Sequence, residues 1–383
     1  MRRTPTDAEL LSAILSGKRG PVHYRYKLYR SNISGEQLDE LPGVQGARIS
    51  LSNFTDATWK LEIPLRRTRQ LDVFKDYVKA VIEVRDGSSW RPFPMGLYLF
   101  EAPTGTLRPT FSDWNLVGRS PESLLLLSSA YAGYGVAAGT GMLAAARSVL
   151  YAQGVPSSRI DFPATDVALS SAMFFDPVTD PAGSVWLRVV NALLAAGGFY
   201  AVYCDAEGRF KTRKIDDLGR RQEDVSYDSS WVVARGGARL QPEVEETFDD
   251  ERFANRVVVY SGDPNISPPV VSVAENHDPQ SRGSIENLGR VVQKEPIVLK
   301  SIATAADADL VARSELKKAS SLARKLTFAT LPDPRRGPRE VYRVDLSGPA
   351  GEVLVDSTWA VTGWTLPLDL SEMVHTVARN IAV

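Results

Sequence analysis

The sequence of 383 residues holds one cysteine and three histidines. With Cys204 alone, an intrachain disulfide is impossible and a thiolate zinc cluster is out of reach, which fits assembly in a reducing cytosol. His23, His277 and His375 are scattered along the chain, so the commonest acid–base side chain is scarce. A P-loop ending, a GxSxG elbow and the kinase signature set are missing, and the run Gly133 to Gly139 has the wrong spacing for GxGxxG. No charge dominates: 45 Lys or Arg face 46 Asp or Glu, giving a net charge of −1, which disfavours a general nucleic-acid binder. Long apolar runs are lacking too. The charge-free window Ser123 to Ala146 is about long enough to span a bilayer, but four glycines, several serines and two tyrosines make it read as a flexible apolar linker. The first residues carry Arg2 and Arg3, yet Leu10, Leu11, Ile14 and Leu15 share one helix face and Asp7 and Glu9 interrupt the stretch. Residues 1–19 read as a helical arm rather than a signal peptide.

What remains is an ordinary globular composition, 43% hydrophobic and 24% charged, long enough for two to three domains. From Tyr24 the texture is strand-like, with candidates at Tyr24–Arg30, Ala47–Ser52, Thr58–Leu65, Val78–Arg85, Leu97–Ala102 and Trp114–Gly118. The clearest is TWKLEIPL, in which Trp59, Leu61, Ile63 and Leu65 alternate with Lys60 and Glu62. From Met142 the period becomes helical. One helix runs to a glycine stop at Gly154; a second, capped by Ser184, carries Val185, Trp186, Val189, Val190, Leu193 and Leu194 to Gly197 and Gly198. A hairpin follows, Phe199–Asp205 and Arg209–Lys214, turning at Gly208. Strand patterns resume from Ser226, interrupted by one helix over Ala305–Arg324.

The expected fold is therefore α+β, predominantly antiparallel β. After the arm come a first tube-like β barrel or sandwich over residues 20–125, an inserted α+β helix-hairpin module over 126–215, and a second tube-like β domain over 216–383 with a helix near 305–324.

Candidate chemistry is sparse. His277 with Glu275 and Asp278 is the one metal or catalytic grouping the sequence suggests, set against a solvated loop, since no second histidine lies at a ligand spacing. Cys204 sits in an apolar strand and reads as core. A carboxylate pair for glycan hydrolysis, or stacking faces on Trp90, Trp114 and Trp231, would suit the rival readings of a carbohydrate hydrolase or a glycan- and receptor-binding module. Charge is uneven: residues 1–70 hold 12 basic and 7 acidic side chains, residues 240–310 hold 6 and 13. Arg66, Arg67 and Arg69 read as a solvated strand edge or a subunit contact. The acidic peak EVEETFDDE, with Glu243, Glu245, Glu246, Asp249 and Asp250, reads as a solvated loop or, functionally, as a surface that repels passing phosphates.

The run WLRVVNALLAAGGFYAVYCDAEGRFKTRKI, Trp186 to Ile215, resembles the middle segment of the tail-hub (baseplate-hub, tail-tip) proteins of tailed bacteriophages. The stretches AARSVLYAQGVPSSRIDFP, ARISLSNFTDATWKLEIPL, YLFEAPTGTLRP, WNLVGRSPESLLL, NRVVVYSGDPN and STWAVTGWTLPLDLSEMVHTVAR are similar to other parts of that family. The resemblance implies a structural virion protein and no enzyme, without cofactor or metal. Assembled in the host cytoplasm, it would form a homotrimer whose pseudo-sixfold ring closes the tail tube. Its partners would be the tail tube or distal tail protein on one side and a tape-measure, spike or fibre protein on the other, with DNA passing through the lumen unbound and no stable membrane insertion.

Overall fold

A computed structural model of the chain describes residues 23–41, 44, 46–53, 56–66, 71–73, 75–101, 104–107, 112–164, 166–169, 172–215, 222–228, 234–235, 238–239, 244–249, 253–261, 268–281, 283–299, 304–319, 321–347 and 352–382. The fold is predominantly antiparallel β with few helices, as the pattern indicates. Its contacts divide it into two compact units, Met1–Glu243 with Phe328–His375, and Val244–Thr327 with Thr376–Val383. The expected arm lies outside the described residues.

In the first unit eight strands come from the amino-terminal region: β1 (Tyr24–Ser31), β2 (Gln37–Glu40), β3 (Arg48–Ser52), β4 (Trp59–Arg66), β5 (Tyr77–Asp86), β6 (Ser89–Phe100), β7 (Thr104–Leu107) and β8 (Ser112–Arg119). They pair in the order β2-β1-β5-β6-β8-β4-β3, with β7 beside β8. The alternation read in β4 is observed: Trp59, Leu61 and Ile63 are buried while Lys60 and Glu62 stay half-exposed and pair with each other at 2.5 Å. Each buried apolar side chain stabilises the sheet by roughly 1.5–3 kcal/mol. Beyond β3 the sheet is continued from the far end of the chain by Val353–Pro367, with Gly363 opposite Ser52 and Leu366 opposite Ile49. A Cβ on Gly363 would lie 2.4 Å from the Leu51 carbonyl, so this close approach requires glycine. Trp364 then meets Trp59 edge to face at 5.3 Å. Val341–Ser347 pairs antiparallel with Val353–Pro367, and Val225–Asp228 lies parallel to Val341–Ser347. No closed barrel is formed among the described residues.

The two expected helices are Met142–Ala152 and Trp186–Ala196. They share a core that includes Leu143, Val149, Leu150, Val190, Leu193 and Leu194, and the first stops where Gly154 takes φ +82°. Ser184 does not cap the second helix. Asp180 holds the preceding turn through the Gly183 and Ser184 amides, and there the Ser184 hydroxyl donates to the Pro181 carbonyl. Nor is Ser123–Ala146 a linker. It forms a 3₁₀ turn (Pro121–Leu126) and a strand (Tyr134–Val136) paired with Met173–Phe175, and Leu125 and Val136 join the helical core. No helix among the described residues is long and apolar enough to cross a membrane.

In the second unit Arg256–Ser261 is flanked by Val271–Glu275, antiparallel, and Ile297–Leu299, parallel. The helix Ala305–Ala319 packs Ala308 and Ala312 against Val257, Val259 and Ala274. It ends five residues short of the expected Arg324, because Ser321–Thr330 is a strand and its Ala323–Thr327 stretch forms a ladder with Glu245–Asp249.

Candidate functional site

The first unit joins its helix-hairpin module to the sheet through the hairpin turn. Asp205 folds that turn by accepting the Glu207 and Arg209 amides, each at 2.9 Å, and Gly208 takes φ +79°. The turn then meets the sheet: the Gly96 amide donates to the Ala206 carbonyl at 2.9 Å, and Lys79 pairs with Glu207 at 2.8 Å. A Cβ on Gly208 would come within 2.7 Å of Leu97. Trp59 Nε1 donates to the Cys204 carbonyl at 2.8 Å, and the Arg159 guanidinium donates to the carbonyls of Ser34 and Glu207. Burial, reinforced by the Glu122 carboxylate, pushes the Cys204 thiol well up, which suits the core role read for it.

A second constellation, missed in the sequence, is built by the segment LPDPRRGPRE, Leu331 to Glu340. Asp333 accepts from Arg335 at 2.8 Å and from Arg336 Nε at 3.1 Å, and Arg336 reaches Glu340 at 3.3 Å. The Asp333 and Arg336 side chains are each only 5% exposed. Burial alone would raise the Asp333 carboxyl, but Arg336 and Arg335 outweigh it and hold it below the usual range. Glu340, with less compensation, is pushed up to about 7 by burial. The same segment is tied to distant strands: Tyr24 donates to the Pro332 carbonyl at 2.9 Å, and Asn53 Oδ1 accepts the Arg339 amide at 3.1 Å. The only signal in the sequence was the density of charge inside a proline-rich connection.

His375 lies in the same unit, wholly buried among Tyr227, Phe328 and Tyr342 with ring centroids 5.3–5.5 Å away. The Thr330 hydroxyl lies 2.9 Å from the Leu331 carbonyl and 2.8 Å from His375 Nε2. Nδ1 faces the Tyr342 hydroxyl at 3.5 Å, so each ring nitrogen has a hydroxyl neighbour. Burial, with Arg336 adding to it, pushes the imidazole down to about 3.

In the second unit, His277 is joined to Glu275 but not to Asp278. Its Nδ1 faces Glu286 at 2.5 Å and its Nε2 faces Glu275 at 3.0 Å, while Asp278 accepts the Gln280 amide in its own turn. A carboxylate facing each ring nitrogen favours the imidazolium form, and Glu286 and then Glu275 raise its pKa. Arg256 shares Glu275. This is an exposed ion cluster; among the described residues no group of three or more His, Cys, Asp or Glu is placed to hold a metal ion.

The acidic stretch is part strand, not loop. Glu245 and Glu246 are exposed, with Glu246 paired to Arg324; Asp249 ends the strand, and Glu243 and Asp250 lie outside the described residues. Of the candidate stacking faces, Trp90 is covered by the Arg25 guanidinium at 4.3 Å, Trp114 stands in β8, and Trp231 lies outside the described residues. Arg66 closes β4, while Arg67 and Arg69 also lie outside.

No protein-family profile matches the sequence, and no curated protein matches it either. Solved structures do match. A tail protein from Neisseria meningitidis aligns with a TM-score of 0.61 at 14% identity, covering 93% of this chain and 97% of that one. The 43 kDa tail protein of prophage MuSo2 from Shewanella oneidensis aligns at 0.58 and 11%, covering 93% and 98%. A chain of the Francisella PdpA–VgrG complex aligns at 0.54 and 8%, covering 98% of this chain and 57% of that one. At these identities the likeness is one of fold, and along nearly the whole chain that fold is the one these two tail proteins have.

Proposed function

We propose that this chain is a structural hub protein of a phage tail tip or baseplate, and that three copies form a pseudo-sixfold ring closing the tail tube. The observation that carries this reading is the end-to-end match with the Neisseria tail protein, which leaves little of either chain unaligned. The build of the first unit agrees with a load-bearing part: its module is fixed to the sheet by a tryptophan, a lysine, an arginine and direct backbone hydrogen bonds. A closed ring needs a repeated contact between unlike surfaces of neighbouring copies. In this reading the segments 20–125 and 216–383 supply two comparable tube-like interfaces per copy, with 126–215 as the module between them.

The partners would be a tail tube or distal tail protein and a tape-measure, spike or fibre protein, within a virion assembled in the host cytoplasm. DNA crosses the lumen without binding, and we assign Glu243, Glu245, Glu246, Asp249 and Asp250 to the lumen wall, where carboxylates repel phosphate. Replacing Glu245, Glu246, Asp249 and Asp250 with lysine then slows DNA ejection and leaves ring assembly intact; unchanged ejection rules out the lumen assignment. Native mass measurement of the 42.0 kDa chain, alone and mixed with tail tube protein, tests the ring. A trimer in the mixture supports it, and a chain that stays monomeric beside assembled tube overturns it.

A further inference from the structure

The strand pair Tyr134–Val136 and Met173–Phe175 has two unlike faces. Tyr134, Val136, Met173 and Phe175 pack inward on the helical core. On the other face Phe174 stands opposite Gly135, and its ring lies so close to the backbone that a Cβ would come within 3.0 Å of it at Gly133 and 3.3 Å at Gly135. The glycines form a floor for a ring that is nevertheless 71% exposed. Because Phe175 pairs with Tyr134, the chain after Phe175 and the chain before Tyr134 leave the same end of the ribbon. These flanks carry Val178 and Tyr131, 85% and 89% exposed. An aromatic ring held close against two glycines, with apolar neighbours in water, is a surface suited to being covered.

The charge around it restricts what covers it. Asp176 and Asp180 bracket Val178, and between Ser120 and Leu187 the only basic residues are Arg147 and Arg159. Arg159 is buried, and Arg147 is spent on the Phe162 and Pro163 carbonyls. The complement is a segment that is apolar on one face and basic at its ends. Residues 1–19 of this chain have that composition: Leu10, Leu11, Ile14 and Leu15 share a helical spacing, with Arg2 and Arg3 before them and Lys18 and Arg19 after. The 22 residues ahead of His23 reach up to roughly 70 Å when extended. A tethered segment meets its target at an effective concentration near the millimolar range, enough for a modest contact to be occupied.

We propose that the Tyr131–Phe174–Val178 patch is the docking site of the amino-terminal segment of the same copy. Radical footprinting of the full-length chain tests this by comparing the oxidation of Tyr131 and Phe174 in the wild type and in the full-length variant Leu11→Asp/Ile14→Asp. The variant is expected to oxidise both several-fold faster, with Tyr151, outside the patch, as the unchanged reference. Full-length Arg2→Glu/Arg3→Glu/Lys18→Glu/Arg19→Glu is expected to move the rates in the same direction, and serves as the deciding variant if the aspartates upset folding. Protection that persists on dilution places the contact within one copy. Equal rates in wild type and variants overturn the proposal, and protection that vanishes on dilution overturns its assignment to the same copy.

Discussion

His375 in the first unit and His277 in the second are treated in opposite ways, and the contrast shows how surroundings set the charge of an imidazole. His375 is sealed among aromatic rings, neutral, with its pKa pushed down to about 3 by burial. His277 is open to solvent between Glu286 and Glu275, which raise its pKa. The Asp333–Arg336–Glu340 cluster of the first unit is likewise buried, whereas the Arg256–Glu275–His277–Glu286 cluster of the second is exposed and screened by water and salt. Buried charges specify one arrangement because any other leaves them unpaired; exposed ones can separate into water at little cost.

The largest test of that contrast is Arg336→Leu, which removes the buried guanidinium shared by Asp333 and Glu340 and leaves Asp333 with Arg335. A loss of about 3–5 kcal/mol is expected in urea unfolding. Acid comes next. His375 takes up a proton in the unfolded chain near pH 6.5 but in the folded one only near 3, so its contribution is present above 6.5 and is lost as pH falls through that window. The expected loss at pH 5 is roughly 2 kcal/mol, and His375→Phe removes this slope; an unchanged slope means the ring is not buried neutral. Thr330→Val leaves the buried His375 Nε2 without its hydroxyl partner, for about 1–3 kcal/mol at neutral pH by the same urea measurement. The smallest effect belongs to His277→Gln, with no measurable change in the global unfolding midpoint. Because the His277 pKa is raised, its clip is present below pH 6.5 and is lost as pH rises through the elevated value. Amide exchange across Asn276–Ser284, corrected for its intrinsic pH dependence, should quicken over that range in the wild type and not in the variant.

Much of the first sheet was legible because its strands are half-buried and alternate cleanly, as Trp59, Leu61 and Ile63 do against Lys60 and Glu62. The two helices and the Gly154 and Gly208 stops followed from equally local chemistry. What was not legible depends on partners far along the chain. Nothing around Val353–Pro367 announces that it pairs with β3, some 310 residues earlier, and only the fold explains why position 363 must be glycine. Ser123–Ala146 read as a linker because its glycines lower helix and strand propensity alike, although two of them make room for Phe174. Nothing in the Leu331–Glu340 sequence announces its ion cluster, since burial of an aspartate beside two arginines leaves no periodic trace.

The proposed tail-tip hub role is tested by electron cryomicroscopy of intact tails carrying a small tag on the chain. Three tagged copies in one ring at the distal end of the tail tube is the predicted result; tag density along the tube or on the fibres, or an intact tip without it, would contradict the claim.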